Sequence, residues 1–208
     1  MNEVSAVSNE NDAKEYAKIL VDGALAKSNK KKHLMIDLET LGKPCDSVVL
    51  SIGAIAFDMD GTVGPKFERF PVVEDQLSYR KVEWTTIQWW MKQEYNARMS
   101  IIEATRIQKL KECLVDLKNF CIENLDENFR VWANGASFDT AFLNLAYSQF
   151  DMETPWSYKR QMDCRTICWL SKISTKNYES SGVKHNALDD CEWQISWTVD
   201  AFKILNDF

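Results

Sequence analysis

Apolar residues recur along this chain with two periods, and the change of period marks its elements. From His33, the segment HLMIDLET runs apolar into two acids and reads as a strand over residues 34–39. A turn over residues 40–44 follows, and the long apolar run at 47–58 reads as a central strand. Asp60 and Gly61 stand at a hairpin position, with a returning strand over 64–70. Three sequential strands joined by short turns predict an antiparallel meander. Beyond it the period becomes helical. TTIQWWMKQ offers Thr85 as a cap, and residues 100–124 place Ile102, Ile107, Leu110, Leu114, Leu117, Phe120 and Cys121 at helical spacing. RVWA at 130–133 predicts a short strand that Asn134-Gly135 breaks, and a helix follows over 137–150. Another short strand and helix end near residue 171, and an amphipathic helix over 188–205 closes the chain. A meander followed by alternating helices and strands fits an α/β domain with a mixed sheet.

The N-terminal stretch reads differently. Residues 1–11 are polar, Asp12 can cap a helix to about Lys27, and residues 28–32 (SNKKK) read as a linker. The expected division is therefore an extension and linker over 1–32 and a single domain over 33–208.

Five chemistry-bearing residues fall at the junctions of these elements. In a strand, residues two apart share a face, so Asp37 and Glu39 project side by side. Like charges this close repel unless a cation lies between them, although an exposed strand end would also tolerate the pair. Asp139 falls in the first turn of a helix, where an acid is favoured by capping and the dipole alone. His185 and Asp190 are five steps apart, a rotation of about 140° on one helix, so they do not share a helical face. Their spacing makes sense with His185 on a loop and Asp190 in the helix that follows. Asp189 competes with Asp190, and reads as a helix-start charge.

Asp37 and Glu39 in HLMIDLET, Asp139 in WANGASFD, and His185, Ala187 and Asp190 in HNALDD together resemble the DEDDh group of 3′→5′ exonucleases. The resemblance covers residues 33–195 and implies nothing for 1–32. It implies an RNase H-like fold, with a mixed five-stranded sheet flanked by helices. It implies that Asp37, Glu39, Asp139 and Asp190 hold two Mg²⁺ or Mn²⁺ ions, and that His185 is the base. It also implies that the backbone at Thr40 and Leu41 meets the terminal nucleotide, that Asn134 helps position the substrate, and that Phe138 packs near it. TTIQWWMKQEYNA and MDCRTI are similar to phage and prophage exodeoxyribonuclease VIII-like proteins and to the bacterial RNase AS family. Exodeoxyribonuclease A of T-even phages is a more distant likeness. Arg165 either reaches a phosphate or pairs with Asp163. Trp89 and Trp90 either pack helices or stack on a base.

Composition narrows the picture. The net charge of −6 argues against a broad basic groove for long duplexes, but not against an enzyme that grips a strand end. The six cysteines have no Cys-x-x-Cys pair, which points to reduced, mostly buried thiols; His33 matches no motif and reads as structural. No apolar run approaches the ~20 residues of a membrane span, and residues 1–20 lack a secretory pattern. The expected location is cytoplasmic, in the host if phage-encoded.

The expected function is metal-dependent 3′→5′ release of nucleoside 5′-monophosphates from single-stranded DNA or RNA ends, with a homodimer as the family's assembly. The alternatives are a non-catalytic binding module on the same fold and an interaction protein acting through its N-terminal extension.

Overall fold

The computed structural model describes residues 14–15, 30–180 and 182–207. The chain divides into a unit at 1–30 and a unit at 31–208. In the first, Lys14 and Glu15 are helical, and the helix expected over 12–27 otherwise lies outside the described residues.

The second unit is built on one five-stranded sheet: β1 (Lys31–Thr40), β2 (Val49–Phe57), β3 (Val63–Arg69), β4 (Leu125–Ala133) and β5 (Gln161–Asp163). Their order is β3-β2-β1-β4-β5. The first three strands form the antiparallel meander, and β4 and β5 add in parallel beyond β1. Among the described residues, seven α-helices connect or cover it: α1 (Val73–Gln76), α2 (Trp84–Met91), α3 (Tyr95–Ile102), α4 (Leu110–Asn124), α5 (Asp139–Gln149), α6 (Cys164–Ser171) and α7 (Ala187–Asn206). The mixed sheet with flanking helices is the architecture the sequence implied. Among the described residues, no helix is long and apolar enough to cross a membrane.

The alternation along β1 sorts its side chains between two cores. Leu34, Ile36 and Leu38 join the apolar cluster that includes Leu114 and Leu117 of α4 and Phe142 of α5. Met35 joins the opposite cluster with Ile167 of α6 and Cys191 and Ile195 of α7. Strand periodicity then puts Asp37 and Glu39 on the α7 side. The sheet lets α7 come very close there. Gly53 of β2 pairs with Asp37, and a Cβ at Gly53 would lie 2.5 Å from the backbone carbonyl of Ala187. The start of α7 therefore rests directly on a strand that has no side chain at that point.

Four local expectations need correction. Lys31 and Lys32 belong to β1 rather than to a linker, because Asp58 after β2 supplies their partner: Lys31 Nζ donates to one carboxylate oxygen and the Lys32 N–H to the other, each at 3.0 Å. Thr85 is not a cap but lies inside α2, whose N-cap is Glu83. The Glu83 carboxylate instead accepts the Lys43 N–H at 2.8 Å. The single helix expected over 100–124 is two helices, α3 and α4. Between them, Arg106 donates to the carbonyls of Leu50, Pro71 and Ile101, so the chain leaves its helical path to deliver a guanidinium. Ile107, counted in the helical stripe, is 82% exposed. Finally, β4 begins at Leu125 rather than at Arg130.

The structural histidine and the thiols behave as the sequence implied. His33 is buried and its Nδ1 accepts the Trp132 indole N–H at 3.0 Å; burial, the largest cause, and Arg130 lower its pKa to about 4. All six cysteines are free, and five are buried.

Adding one methyl group at Gly53 tests the close approach of α7. Gly53→Ala should destabilise the protein by about 1–3 kcal/mol, since neither backbone can give way cheaply. Urea unfolding midpoints measure this, and an unchanged midpoint would show that α7 is not held against β2.

Candidate active site

The site forms where β4 ends and β1 continues. Parallel pairing of the two strands stops at Ile36 and Ala133, so β1 runs on past its neighbour. The Leu38 N–H, on that unpaired stretch, donates to the Asp139 carboxylate at 3.1 Å. The donor lies between Asp37 and Glu39 in sequence, so the bond fastens the first turn of α5 beside both acids. A tight turn delivers Asp139 to this place: Gly135 adopts φ +105°, which favours glycine, and its carbonyl accepts the Phe138 N–H at 2.8 Å. The β1–β2 register shifts between Glu39 and Thr40, a bulge at the same point.

α7 supplies the remaining groups. Gln194 donates its amide to Asp37 at 2.7 Å. Asn186 caps the helix, accepting the N–H groups of Leu188 and Asp189 at 3.1 and 3.0 Å. Asp190, in the first turn, accepts the His185 N–H at 3.2 Å. His185 lies on the loop before the helix with φ +64°, in the left-handed region that few non-glycine residues enter. Such strain persists only where the surroundings fix it, and here they do. The Trp89 ring meets the imidazole edge-on with centroids 4.8 Å apart.

Electrostatics make this cluster a costly one to leave empty-handed. Burial, then the charges of Asp139 and Asp190, push the Asp37 pKa well above the usual carboxylate range, against the Gln194 hydrogen bond. Glu39 is also pushed well up, by burial and then by Asp37, Asp190 and Asp139. Burial raises Asp139 to about 7, although the Leu38 N–H and Arg165 pull the other way. Burial raises Asp190 to about 6 despite the His185 N–H and Lys184. Burial lowers the His185 pKa, with Lys184 adding and Glu94 opposing.

Acids that resist ionisation through burial and mutual repulsion fit a divalent cation, which removes both penalties. The donors agree in kind, since carboxylate oxygens suit Mg²⁺ or Mn²⁺. Glu39, His185 and Asp190 each present a ligand atom, and the three atoms lie within 4.8 Å of one another.

The expected substrate residues divide between two cavities. Thr40 and Phe138 line one of about 390 Å³, together with Leu38, Glu39, Trp89 and Trp90. The Leu41 side chain packs against the small apolar cluster of Val48, Leu50 and Trp90. Asn134 and Arg165 line a different cavity, and Arg165 Nε donates to the Asn134 side-chain oxygen at 3.3 Å. Asp163 is committed elsewhere: it caps α6 through Thr166 and accepts the Ala136 N–H at 2.8 Å. The tryptophan pair splits its duties. Trp90 is buried with its indole N–H donating to the Thr40 carbonyl at 3.0 Å, whereas Trp89 is 42% exposed and faces His185.

Sequence reasoning missed three supports. Asp189 is not a mere helix-start charge, since its carboxylate accepts the Val183 N–H at 2.8 Å and so braces the loop that carries His185. Gly182 makes room for it, as a Cβ there would lie 2.3 Å from the Asp189 carboxylate carbon. Gln194 carried no motif, and only its position one helical turn beyond Asp190 could have pointed to it.

The class this chain falls in is that of the 3′→5′ exonucleases. The chain belongs to the family described as the 3′-5′ exoribonuclease Rv2179c-like domain, whose model matches residues 32–201. No curated protein sequence matches it. Among solved structures, the zinc-bound E. coli ExoI–ssDNA complex is similar at a TM-score of 0.60 and 14% identity; the match covers 86% of this chain and 43% of that one. The chain thus spans less than half of that protein's length. The nuclease domain of 3′hExo, a DEDDh family member bound to rAMP, gives a TM-score of 0.58 at 11% identity, covering 82% of this chain and 91% of that one. S. pombe Pop2p, with Mg²⁺ and Mn²⁺ bound, gives 0.53 at 11% identity, covering 89% and 87%. At these identities the likeness shows a shared RNase H-like exonuclease fold.

The raised carboxyl pKa values carry a sign for stability. A carboxyl that titrates higher in the folded state binds more protons folded than unfolded, so stability falls as pH rises towards the folded pKa. With chelator present, the protein should therefore lose stability between about pH 4 and 7, the window between an ordinary carboxyl and Asp139 at about 7. Mn²⁺ should restore it at pH 7. Asp139→Asn should raise the melting temperature in chelator by about 3 °C and blunt the Mn²⁺ response. Calorimetry with and without metal checks this, and equal melting temperatures throughout would sink the cation site.

Proposed function

We propose that the chain is a metal-dependent 3′→5′ exonuclease that releases nucleoside 5′-monophosphates from single-stranded ends. One observation carries the reading. Asp37, Glu39, Asp139, Asp190 and His185 converge at the end of β1, beside a cavity large enough for a nucleoside. Family membership supports the reaction class. Residues 33–208 would be the exonuclease domain, with 1–32 as an extension to it.

In this proposal the four carboxylates hold two divalent cations, Mg²⁺ or Mn²⁺. When bound, these supply an acidified water and neutralise charge at the scissile phosphate. His185 takes the proton of the attacking water at its imidazole ring. The water oxygen bonds to phosphorus, and the bond to the 3′ oxygen of the preceding nucleotide breaks. The terminal nucleotide leaves with its 5′-phosphate. The lowered pKa of His185 keeps the ring neutral, and therefore able to accept, at pH 7. Trp89 and the Asp189-braced loop fix its direction. The walls formed by Leu38, Thr40, Trp89 and Phe138 receive the terminal sugar and base.

Ribose is the first choice of sugar, because the family is described as exoribonucleases. The likeness to phage exodeoxyribonuclease VIII-like and RNase AS proteins, the homodimer and the cytoplasmic location belong to the same proposal. Sedimentation velocity addresses the homodimer.

The direct test uses 5′-labelled single-stranded RNA and DNA with Mg²⁺ or Mn²⁺. A ladder that shortens from the 3′ end is expected. Asp37→Ala and Asp190→Ala should abolish it, and His185→Ala should slow it by about 10²–10⁴-fold while metal still raises the melting temperature. Near-normal turnover in His185→Ala would remove the base. No ladder from any strand, in folded protein with either metal, would favour a non-catalytic binding module instead.

The pH profile separates the two kinds of titrating group. Protons compete with cations at Asp139 and Asp190, which titrate near 7 and 6, so excess Mn²⁺ should move the acid limb of activity to lower pH. Activity should still rise with pH through a residual limb below the ordinary imidazole value of about 6.5. That limb belongs to His185 and should vanish in His185→Asn. A limb that persists in that variant would contradict the assignment.

A further inference from the structure

The cavity shared by Asn134 and Arg165 has more in it than the exonuclease site uses. It measures about 410 Å³ and is lined by residues just after β4 and β5 and by residues of α6 and α7. Arg165 and Trp169 stand one turn apart on α6 and so share a face. Lys176 approaches from the short turn at Thr175–Asn177. Trp193 and Trp197, one turn apart on α7, close the inner wall with their rings edge-on at 5.8 Å. Among the described residues no acidic side chain lines the cavity, which stands out in a chain of net charge −6.

Three features point to a ligand. Trp169 leaves 77% of its surface exposed, an unusual place for a large aromatic side chain. The Arg165 guanidinium lies over Gly135, with its carbon 3.2 Å from where a Cβ would sit, so the glycine admits it to the edge of the cavity. Trp197 is 1% exposed, and its indole N–H has no hydrogen-bond partner in the structure. Buried indole N–H groups ordinarily find one. Two cations and an open aromatic face around one space together match a nucleotide, with phosphate and base each provided for.

We propose that this cavity is a second nucleotide subsite, which takes a nucleotide of the single strand upstream of the bond being cut. Its base lies against Trp169 and its phosphate between Arg165 and Lys176. The inference rests on the exonuclease reading, which puts the 3′ end in the cavity beside Glu39. From there a strand that follows the carboxyl ends of the parallel strands passes Asn134 and reaches Arg165. The cavity volume falls within the roughly 300–1,000 Å³ of small-ligand sites. The subsite makes affinity depend on strand length, and it selects single strands because the base must be free to stack.

Trp169→Ala and Lys176→Ala remove exposed side chains, so the fold is not at stake. Two measurements decide the matter. The first is the ratio of kcat/KM for a decanucleotide to that for a dinucleotide. The wild type should favour the longer strand, and Trp169→Ala should reduce the ratio roughly tenfold. The second is fluorescence anisotropy of a labelled single strand with metal chelated. Trp169→Ala should bind roughly tenfold more weakly. Lys176→Ala should lower the slope of affinity against salt by about 0.7. An unchanged ratio and unchanged affinity in both variants would overturn the subsite. So would a change in oligomeric state on Trp169→Ala with strand affinity intact, because the cavity would then be a protein interface. If the wild type cleaves neither strand, the exonuclease reading fails, and the anisotropy alone decides whether the cavity binds a nucleotide.

Discussion

The burial of four neighbouring carboxylates, with repulsion added at Asp37 and Glu39, is the constraint around which this molecule is arranged. Each acid comes from a different stretch of chain or a different register position, and each arrives by a device with no other evident purpose. β1 outruns β4 by enough to leave the Leu38 N–H free for Asp139. Gly135 turns the chain so that α5 begins there. Gly53 omits a side chain so that α7 can bring Asp190 and Gln194 down onto the sheet. Without cations, the arrangement raises the pKa of every acid in it. The two apolar cores on either face of the sheet must offset that cost.

The fold was legible because its signals are local and redundant. The apolar run of β2, the Asp60-Gly61 turn and the period of α7 each point to one element, and the structure agrees. The acids were legible for another reason: two residues apart on a strand, or at the start of a helix, a side chain's direction follows from the backbone alone. The spacing of His185 and Asp190 likewise required a loop and then a helix, and that is how they lie.

What escaped the sequence depends on contacts between distant segments. The break between α3 and α4 is set by carbonyls of Leu50 and Pro71, far from Arg106 in sequence. Thr85 has the chemistry of a cap, but the helix starts two residues earlier, where Glu83 answers the backbone of Lys43. The supports of His185 are of the same kind. Trp89 comes from a helix almost a hundred residues upstream, as the numbering of the two residues shows. Asp189 reads as a surface charge until the loop is seen folded over it.

These misses share a direction: the sequence names the groups that do chemistry better than the groups that hold them. A carboxylate ligand is recognisable by type and spacing, since few other roles need two acids on one strand face. A positioning residue can be any side chain that reaches, and its identity is fixed only by the gap it fills. Tryptophan, aspartate and glutamine serve as supports here, and none has a spacing rule that marks it. The same asymmetry governs the second cavity. Arg165 was visible as a candidate because it lies in MDCRTI, yet its neighbours Trp169 and Lys176 gain meaning only once α6 and the turn after it place them around one space. An exposed tryptophan beside two cations is weak evidence in a sequence. In a cavity that shares Asn134 with the end of β4, close to the turn that carries Asp139, it becomes a statement about where the rest of the strand goes.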